Sequence, residues 1–313
     1  MDARGRAGHK APMPFLPIVH APAYDADFDP GHRFPMGKYT RLMELIRSTG
    51  LAPIAEFHAP APASAEWLAL AHHRAYVDQV LTCKVPVLIE REIGFPVNER
   101  VSMRAQLATA GTVMAARLAL SRGIACNTAG GSHHARRAQG AGFCTFNDVA
   151  VAALLLLADG EVGRVLVIDL DVHQGDGTAE ICADTPAIRT VSVHSEKNYP
   201  VRKQSSSIDV ALPDGVRDEA YLETLDWLLP RTIEGFAPDL VFYNAGVDPH
   251  EDDRLGRLSL TDQGLKSRDR RVFSFFRHRG IPVASVLGGG YSRDIDAVAQ
   301  RHLLTFEAAS EFV

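Results

Sequence analysis

Side chains that bind metals follow directly after an apolar stretch near the middle of the chain. The stretch runs from Val165 to Ile168, and Asp169, Asp171 and His173 come next. A short apolar run rich in valine and isoleucine predicts a buried strand, and strands without polar alternation are typical of parallel sheets covered on both faces. Because ligands bind outside the carboxyl ends of such strands, we expect a functional site here.

The spacing of these residues points to a metal ion. Asp171 and His173 are two residues apart, so their side chains point to the same side of an extended backbone. One carboxylate oxygen and one imidazole nitrogen on one side suit a zinc-like ion. A single acid at a strand end is more often a solvated turn residue. Here Asp169, Asp171 and Asp176 accompany the histidine within eight residues, which favours the metal site.

The rest of the chain predicts elements that hold this segment at one rim of a sheet. Strands are expected at 17–19, 124–127, 187–194, 239–248 and 281–287, and helices at 38–49, 97–122, 147–157, 218–233 and 260–277. This alternation predicts a single α/β domain, three-layer α/β/α, with a mostly parallel central sheet. We expect strand 17–19 at the sheet edge and His72 and His73 on an exposed helix face. Residues 1–14 are expected to form a loose tail, and residues 15–313 the catalytic domain.

Composition excludes several classes of protein. The chain has 313 residues, 46% hydrophobic content and a net charge of −5 without a long basic run, which suits one large domain, and we expect no nucleic-acid partner. The longest apolar run, 149–158, is too short to span a bilayer, so no membrane partner is expected. Four cysteines without a Cys-x-x-Cys motif fit a reducing compartment, and we expect a cytoplasmic protein.

Three other predicted strand ends carry reactive side chains. They are the pair His133 and His134, the acid Asp248, and the glycine run that ends in Tyr291. A parallel sheet delivers the carboxyl ends of its strands to one rim. The sequence therefore predicts that these residues and the Asp171 segment meet in one site.

Four motifs resemble those of the zinc-dependent histone deacetylase family. They are Gly130-Gly-Ser-His-His-Ala135, Gly142-Phe-Cys144, Asp169-Leu-Asp-Val-His-Gln-Gly-Asp-Gly177 and Gly288-Gly-Gly-Tyr291. The resemblance covers residues 15–310 and implies the arginase/deacetylase fold. The segments 243–248 and 253–259, together with Asp171-Val-His-Gln, look most like the class IV branch.

The resemblance implies a role for each matched residue. Asp171, His173 and Asp248 match the three zinc ligands, and three protein ligands leave an open position for water and substrate. His134 matches the general base and Tyr291 the donor to the oxyanion. The other matched residues are His133 with its partner Asp169, the His134 partner Asp176, the substrate-contacting Gly142, Phe143, Tyr199 and Gly289, and a structural potassium site at Asp169, Asp171, His173, Ser192 and Val193.

Several functions stay open at this point. The preferred one is hydrolysis of the amide bond of acylated lysine in a protein or peptide. Acetylpolyamine hydrolysis would use the same machinery on a small acylated amine, and acids at 25, 27, 29 and 251–253 would favour a cation near the mouth. The class IV resemblance also suggests removal of long fatty acyl groups, for which each buried methylene contributes about 0.8 kcal/mol.

Two further alternatives fit the residues less well. An arginase-like ureohydrolase binds two manganese ions and carries an acid two residues after the motif histidine, where this chain has Gly175. A non-catalytic binding module would lack a ligand, a histidine or the tyrosine, and none of these is missing. The sequence therefore favours a hydrolase with one catalytic ion.

Overall fold

Every pairing between neighbouring strands of the central sheet is parallel. The computed structural model describes residues 15–29 and 31–313, and the predicted tail at 1–14 lies outside the described residues. The strands are β1 (Leu16–Val19), β2 (Ala55–His58), β3 (Ile124–Asn127), β4 (Val165–Asp169), β5 (Ile188–Ser195), β6 (Ile208–Leu212), β7 (Leu240–Asn244) and β8 (Val283–Val286). The helices are α1 (Lys38–Ser48), α2 (Ala65–Leu68), α3 (Arg74–Leu81), α4 (Val87–Ile93), α5 (Glu99–Arg122), α6 (Asp148–Ala158), α7 (Asp176–Cys182), α8 (Asp218–Thr232), α9 (Asp262–Arg277) and α10 (Ile295–Ser310).

The strand order in the sheet is β2-β1-β3-β8-β7-β4-β5-β6. Every residue of β1, β3, β4, β7 and β8 is buried, so both faces of the sheet are covered there. The helices α5 and α6 pack together, and α1, α10, α9 and α8 form a second packed row. The predicted α/β fold with a parallel central sheet is thus confirmed.

The predicted edge position of β1 is wrong. It pairs with β2 on one side and with β3 on the other, and β2 and β6 form the two edges. Neither edge strand was predicted. Prolines flank β2, and β6 follows a serine-rich stretch and alternates between half-buried and exposed residues. Edge strands bury less apolar surface, which leaves a weaker signal in the sequence.

The long helix α5 has a clear start and stop. The side chain of Asn98 accepts a hydrogen bond from the amide of Val101, and the left-handed Gly123 ends the helix as the sequence predicts. This helix packs on β1, β3, β7 and β8, the part of the sheet that leads to the site. In the described part of the chain, no helix combines the length and apolar character needed to cross a membrane.

Four adjacent strands deliver the predicted site residues. The strands β3, β8, β7 and β4 are neighbours in that order, and each runs into a segment that carries reactive side chains. Their carboxyl ends meet at one rim because the strands are parallel. The topology therefore brings together segments that lie more than a hundred residues apart in the sequence.

Candidate active site

Two carboxylates and one imidazole converge at this rim. The Nδ1 atom of His173 lies 3.0 Å from Oδ1 of Asp171 and 3.0 Å from Oδ2 of Asp248. One potential ligand atom from each residue lies within 4.8 Å of the others, and all three side chains are buried. Among the described residues, this is the one group of three or more that can hold a metal ion.

Backbone amides orient the two carboxylates. The amide of Val172 donates to Oδ1 of Asp248 at 2.8 Å, and the amide of Gly289 donates to Oδ2 of Asp171 at 2.7 Å. Gly289 approaches so closely that a Cβ atom there would lie 2.2 Å from Oδ2 of Asp248. The glycine run after β8 therefore forms one wall of the carboxylate pair.

The electrostatics of this cluster call for a cation. Burial and the neighbouring Asp171 raise the pKa of Asp248 to about 7. Burial alone would lower the pKa of His173, but hydrogen bonds to both carboxylates raise it to about 10. Two buried acids around one imidazole strongly favour positive charge between them, and this donor set fits a single divalent ion of the zinc type.

His133 lies beside the cluster in a buried hydrogen-bonded network. Its Nδ1 atom is 2.7 Å from Oδ2 of Asp169, and its Nε2 atom is 3.7 Å from Oδ1 of Asp171. Burial opposes its protonation, but these two carboxylates raise the pKa of His133 to about 9. Asn244, which the sequence did not single out, donates to Oδ1 of Asp169 at 3.0 Å and so fixes the carboxylate.

His134 has a different electrostatic environment. Its Nδ1 atom is 2.6 Å from Oδ1 of Asp176, whose other oxygen accepts from Nε and Nη2 of Arg136 at 3.0 and 2.7 Å. Burial and the neighbouring His133 lower the pKa of His134 to about 4. The ring is therefore neutral near pH 7, and with Nδ1 donating to Asp176 its Nε2 atom can accept a proton.

His72 is buried, so its predicted exposure is wrong, whereas His73 is exposed as expected. The Nδ1 atom of His72 lies 2.8 Å from the carbonyl oxygen of Arg136, and its Nε2 atom accepts from the amide of Asn147 at 2.9 Å. The chain turns between α2 and α3, which points His72 inward beneath the Arg136 loop. Sequence periodicity did not reveal this turn.

A cavity of about 230 Å³ leads to the cluster. Its lining consists of Arg33, His134, Gly142, Phe143, His173, Asn198, Tyr199, Leu255 and Tyr291. Gly142 packs so tightly that a Cβ atom would lie 2.6 Å from Cδ2 of His134. Both Gly142 and Phe143 have positive φ angles, and their amides donate to the carbonyls of Glu92 and Ile93 at the end of α4.

Tyr291 closes the inner side of this cavity. Its ring centroid lies 6.1 Å from the ring of His173 and 5.6 Å from the ring of Phe143. Burial raises the pKa of the phenol well above its usual value, so the hydroxyl stays protonated and can donate. Behind it, the fully buried Lys38 donates from Nζ to the carbonyl oxygen of Gly288 at 3.2 Å. Lys38 was not singled out, because a lysine at a helix start is usually exposed.

The residues predicted to hold potassium lie at the ends of two adjacent strands. Asp169 of β4 is paired in register with Ser192 of β5, and Val193 follows. The segment with Asp171 and His173 continues from β4. The structure thus brings the predicted set together, and its role as a potassium site stays a prediction.

Comparisons with known proteins agree with the fold. A profile of the histone deacetylase domain matches residues 32–306. An uncharacterised protein of Picosynechococcus is 42% identical over 95% of this chain and 99% of its own length. Histone deacetylase 2 of Arabidopsis thaliana is 30% identical over 90% of this chain and 76% of its own length. The crystal structure of the HDA15 HD domain superposes with a TM-score of 0.78 at 23% identity, covering 95% of this chain and 89% of that one.

The fold and the clustered residues at its rim define a single-domain α/β protein with the arginase/deacetylase architecture. The chain belongs to the histone deacetylase family. The resemblance inferred from the four motifs is confirmed at the level of the family.

Proposed function

We propose that this protein hydrolyses the amide bond of acylated lysine with one catalytic zinc ion. The observation that carries the proposal is the buried cluster of Asp171, His173 and Asp248 at the floor of a cavity that His134 and Tyr291 also line. A divalent ion held there would lower the pKa of its bound water and polarise the amide carbonyl. Three protein ligands are the number typical of a catalytic zinc site.

The remaining residues supply proton transfer and charge stabilisation. His134 accepts the proton of the attacking water at Nε2, while Asp176 holds the proton on Nδ1 and orients the ring. Arg136 holds Asp176 in place. His133, paired with Asp169, provides positive charge beside the reacting carbonyl and donates a proton to the departing amine. The protonated phenol of Tyr291 donates to the oxyanion as it forms.

Tyr291→Phe should lower kcat by about 10²–10³-fold, equivalent to ~2.7–4 kcal/mol, with little change in metal content. The substitution keeps the ring that packs on Phe143 and removes only the hydroxyl donor. Steady-state kinetics on an acetyl-lysine peptide and elemental analysis measure the two quantities. A loss confined to KM would assign Tyr291 to substrate positioning and would contradict the oxyanion role.

The charge at the cavity favours acylated peptides over acylated polyamines. Among the described residues that line it, Arg33 is the one with a permanent charge, and that charge is positive. Two of the acids that would attract a cation pair with arginines instead: Asp27 with Arg100, and Asp252 with Arg301. The positive charge of Arg33 therefore repels a cationic acylated polyamine but not a neutral peptide backbone.

A substrate panel tests the proposal. It contains acetyl-, octanoyl- and myristoyl-lysine versions of one peptide, together with acetylspermidine and a guanidine substrate. We expect acyl-lysine to be hydrolysed with a higher kcat/KM than acetylspermidine, and Arg33→Ala to narrow that gap by up to about fivefold. Hydrolysis of the guanidine with two manganese ions per chain would support the arginase-like alternative and overturn the proposal.

The same panel addresses acyl length. The half-buried Phe143 and partly exposed Tyr199 form apolar cavity walls that can contact a methylene chain. If the cavity accepts longer chains, each buried methylene adds about 0.8 kcal/mol of binding. We propose long-chain deacylation only as an alternative to deacetylation, and a steady fall in kcat/KM from acetyl to myristoyl would reject it.

Four finer proposals accompany this function. We propose that the chain is nearest the class IV branch, which the motifs at 243–248 and 253–259 resemble, and a phylogeny of the family tests this proposal. If the Asp169 segment holds a potassium ion, the melting temperature should fall when potassium is replaced by a bulky organic cation.

The cysteines in the described residues all lack a disulfide partner, which suits the cytoplasm. Localisation of a tagged chain tests this proposal. Gly289, whose amide donates to Asp171, lines an inner cavity, and we propose that it also contacts substrate.

A further inference from the structure

The helix α9 carries a fully buried ion pair that the function described so far does not use. Nε of Arg268 lies 2.8 Å from Oδ1 of Asp269, and the two side chains are 0% and 1% exposed. Arginine and aspartate are rarely buried this completely. Replacing such a pair with apolar residues often leaves stability unchanged or improves it, so stability alone does not explain the pair.

The guanidinium of Arg268 contacts both backbone segments that carry the proposed metal ligands Asp171, His173 and Asp248. Its Nη1 atom donates to the carbonyl oxygen of Gly246 at 2.6 Å and to that of Leu170 at 3.2 Å. Leu170 directly precedes Asp171, and Gly246 lies two residues before Asp248. One side chain on α9 therefore links the ends of β4 and β7.

This link acts where the strands stop. The amide of Leu170, the first residue after β4, donates to the carbonyl of Asn244, the last residue of β7, at 3.1 Å. Beyond that contact the two segments turn toward the site, and the guanidinium bridges their carbonyl groups. Two carboxylates that point at one another repel, so a fixed backbone separation is needed to keep both near one point.

Asp269 holds the guanidinium in this orientation. Its Oδ1 atom accepts from the hydroxyl of Tyr243 on β7 at 2.5 Å, and its Oδ2 atom accepts from the hydroxyl of Thr305 on α10 at 2.6 Å. The carboxylate is thus bonded to a strand, to a helix and to Arg268. With these contacts the guanidinium is preorganised, and a lysine would not reproduce its planar fork.

We propose that Arg268 is a positioning residue that sets the separation of Asp171 and Asp248 and thereby the affinity of the cluster for a divalent ion. The inference rests on the proposed function, because it takes this cluster as the metal site. Arg268 touches neither substrate nor ligand atoms, and it acts through the backbone carbonyls of the two segments. Partners that orient metal ligands in this way typically change metal affinity by about 10–100-fold when they are removed.

Zinc affinity of the full-length chain, measured by competition with a chromogenic chelator, tests the inference. Arg268→Lys keeps the charge but loses the fork, and we expect zinc to bind about 10-fold more weakly. Arg268→Met combined with Asp269→Asn removes both charges without leaving one unpaired, and we expect a loss of up to about 100-fold. Thermal unfolding of the metal-free proteins checks that each is folded at the assay temperature.

Phe276→Leu is the matched control for a general loss of stability. Phe276 is a buried core residue two turns further along α9, so its truncation lowers the melting temperature without touching either ligand segment. We expect its zinc affinity to equal that of the wild type. Wild-type zinc affinity in the folded Arg268 variants, or an equal loss in Phe276→Leu, would overturn the inference. A wild-type chain that bound no divalent ion would overturn the proposed function instead.

Discussion

Asp248→Asn should reduce the bound divalent metal from about one ion per chain to a trace and abolish amide hydrolysis. The substitution keeps an oxygen that accepts the hydrogen bond from the amide of Val172, so the local backbone has no reason to move. It removes one of the two negative charges that converge on His173. Elemental analysis after purification and kcat on an acetyl-lysine peptide measure the two losses.

The metal-free Asp248→Asn protein should melt at the same temperature as the metal-free wild type or higher. Burial and like-charge repulsion from Asp171 raise the pKa of Asp248, and a neutral amide at this position avoids both costs. Asp239→Asn is the matched control, because Asp239 is exposed at the opposite end of β7 and accepts hydrogen bonds from the amides of Gly163 and Arg164. Full metal content in Asp248→Asn, together with normal kcat, would show that Asp248 is not a ligand.

His134→Ala should lower kcat on an unactivated acetyl-lysine amide by about 10²–10⁴-fold while metal content stays near the wild-type value. The neutral ring, held by Asp176 at Nδ1, has Nε2 available to take the proton of water. Removing the ring removes this acceptor, but it leaves the cluster of carboxylates unchanged. Single-turnover kinetics with quantified metal separate the chemical step from binding.

His20→Ala serves as the control for loss of a histidine elsewhere. His20 also has its pKa lowered to about 4, chiefly by burial, but it bonds to Thr128 and does not line the cavity. Its removal should leave kcat within about twofold of the wild-type value. If His134→Ala kept near-normal kcat on the same amide, the assignment of the general base to His134 would be wrong.

Strand ends were the part of the site that local patterns could predict. Apolar runs that stop at an acid or at a glycine run depend only on neighbouring residues, and four such runs correspond to β3, β4, β7 and β8. Because these strands are parallel and adjacent, His134, Asp171 and Tyr291 do lie at one rim. Their catalytic roles remain predictions that the substitutions above test.

The sheet edges and the supporting polar groups could not be predicted in this way. The strands β2 and β6 are half-exposed, so their residues do not form the continuous apolar runs that mark β4 or β7. The position of β1 inside the sheet depends on its pairing with β3, more than a hundred residues away. Strand order is a long-range property that no local pattern contains.

The sequence by itself determined the residue types at the site, their spacing, and the family to which the chain belongs. The extended backbone expected for Asp171 and His173 is wrong, because both residues lie in a bend just after β4, yet their side chains still converge. Only the tertiary structure decided that Arg268 bridges Leu170 and Gly246, that Lys38 lies behind Tyr291, and that Arg136 holds Asp176. Burying a charged side chain costs free energy unless a hydrogen-bonding or oppositely charged partner compensates for the lost water. Here segments distant in the sequence supply those partners, so local patterns could not predict them.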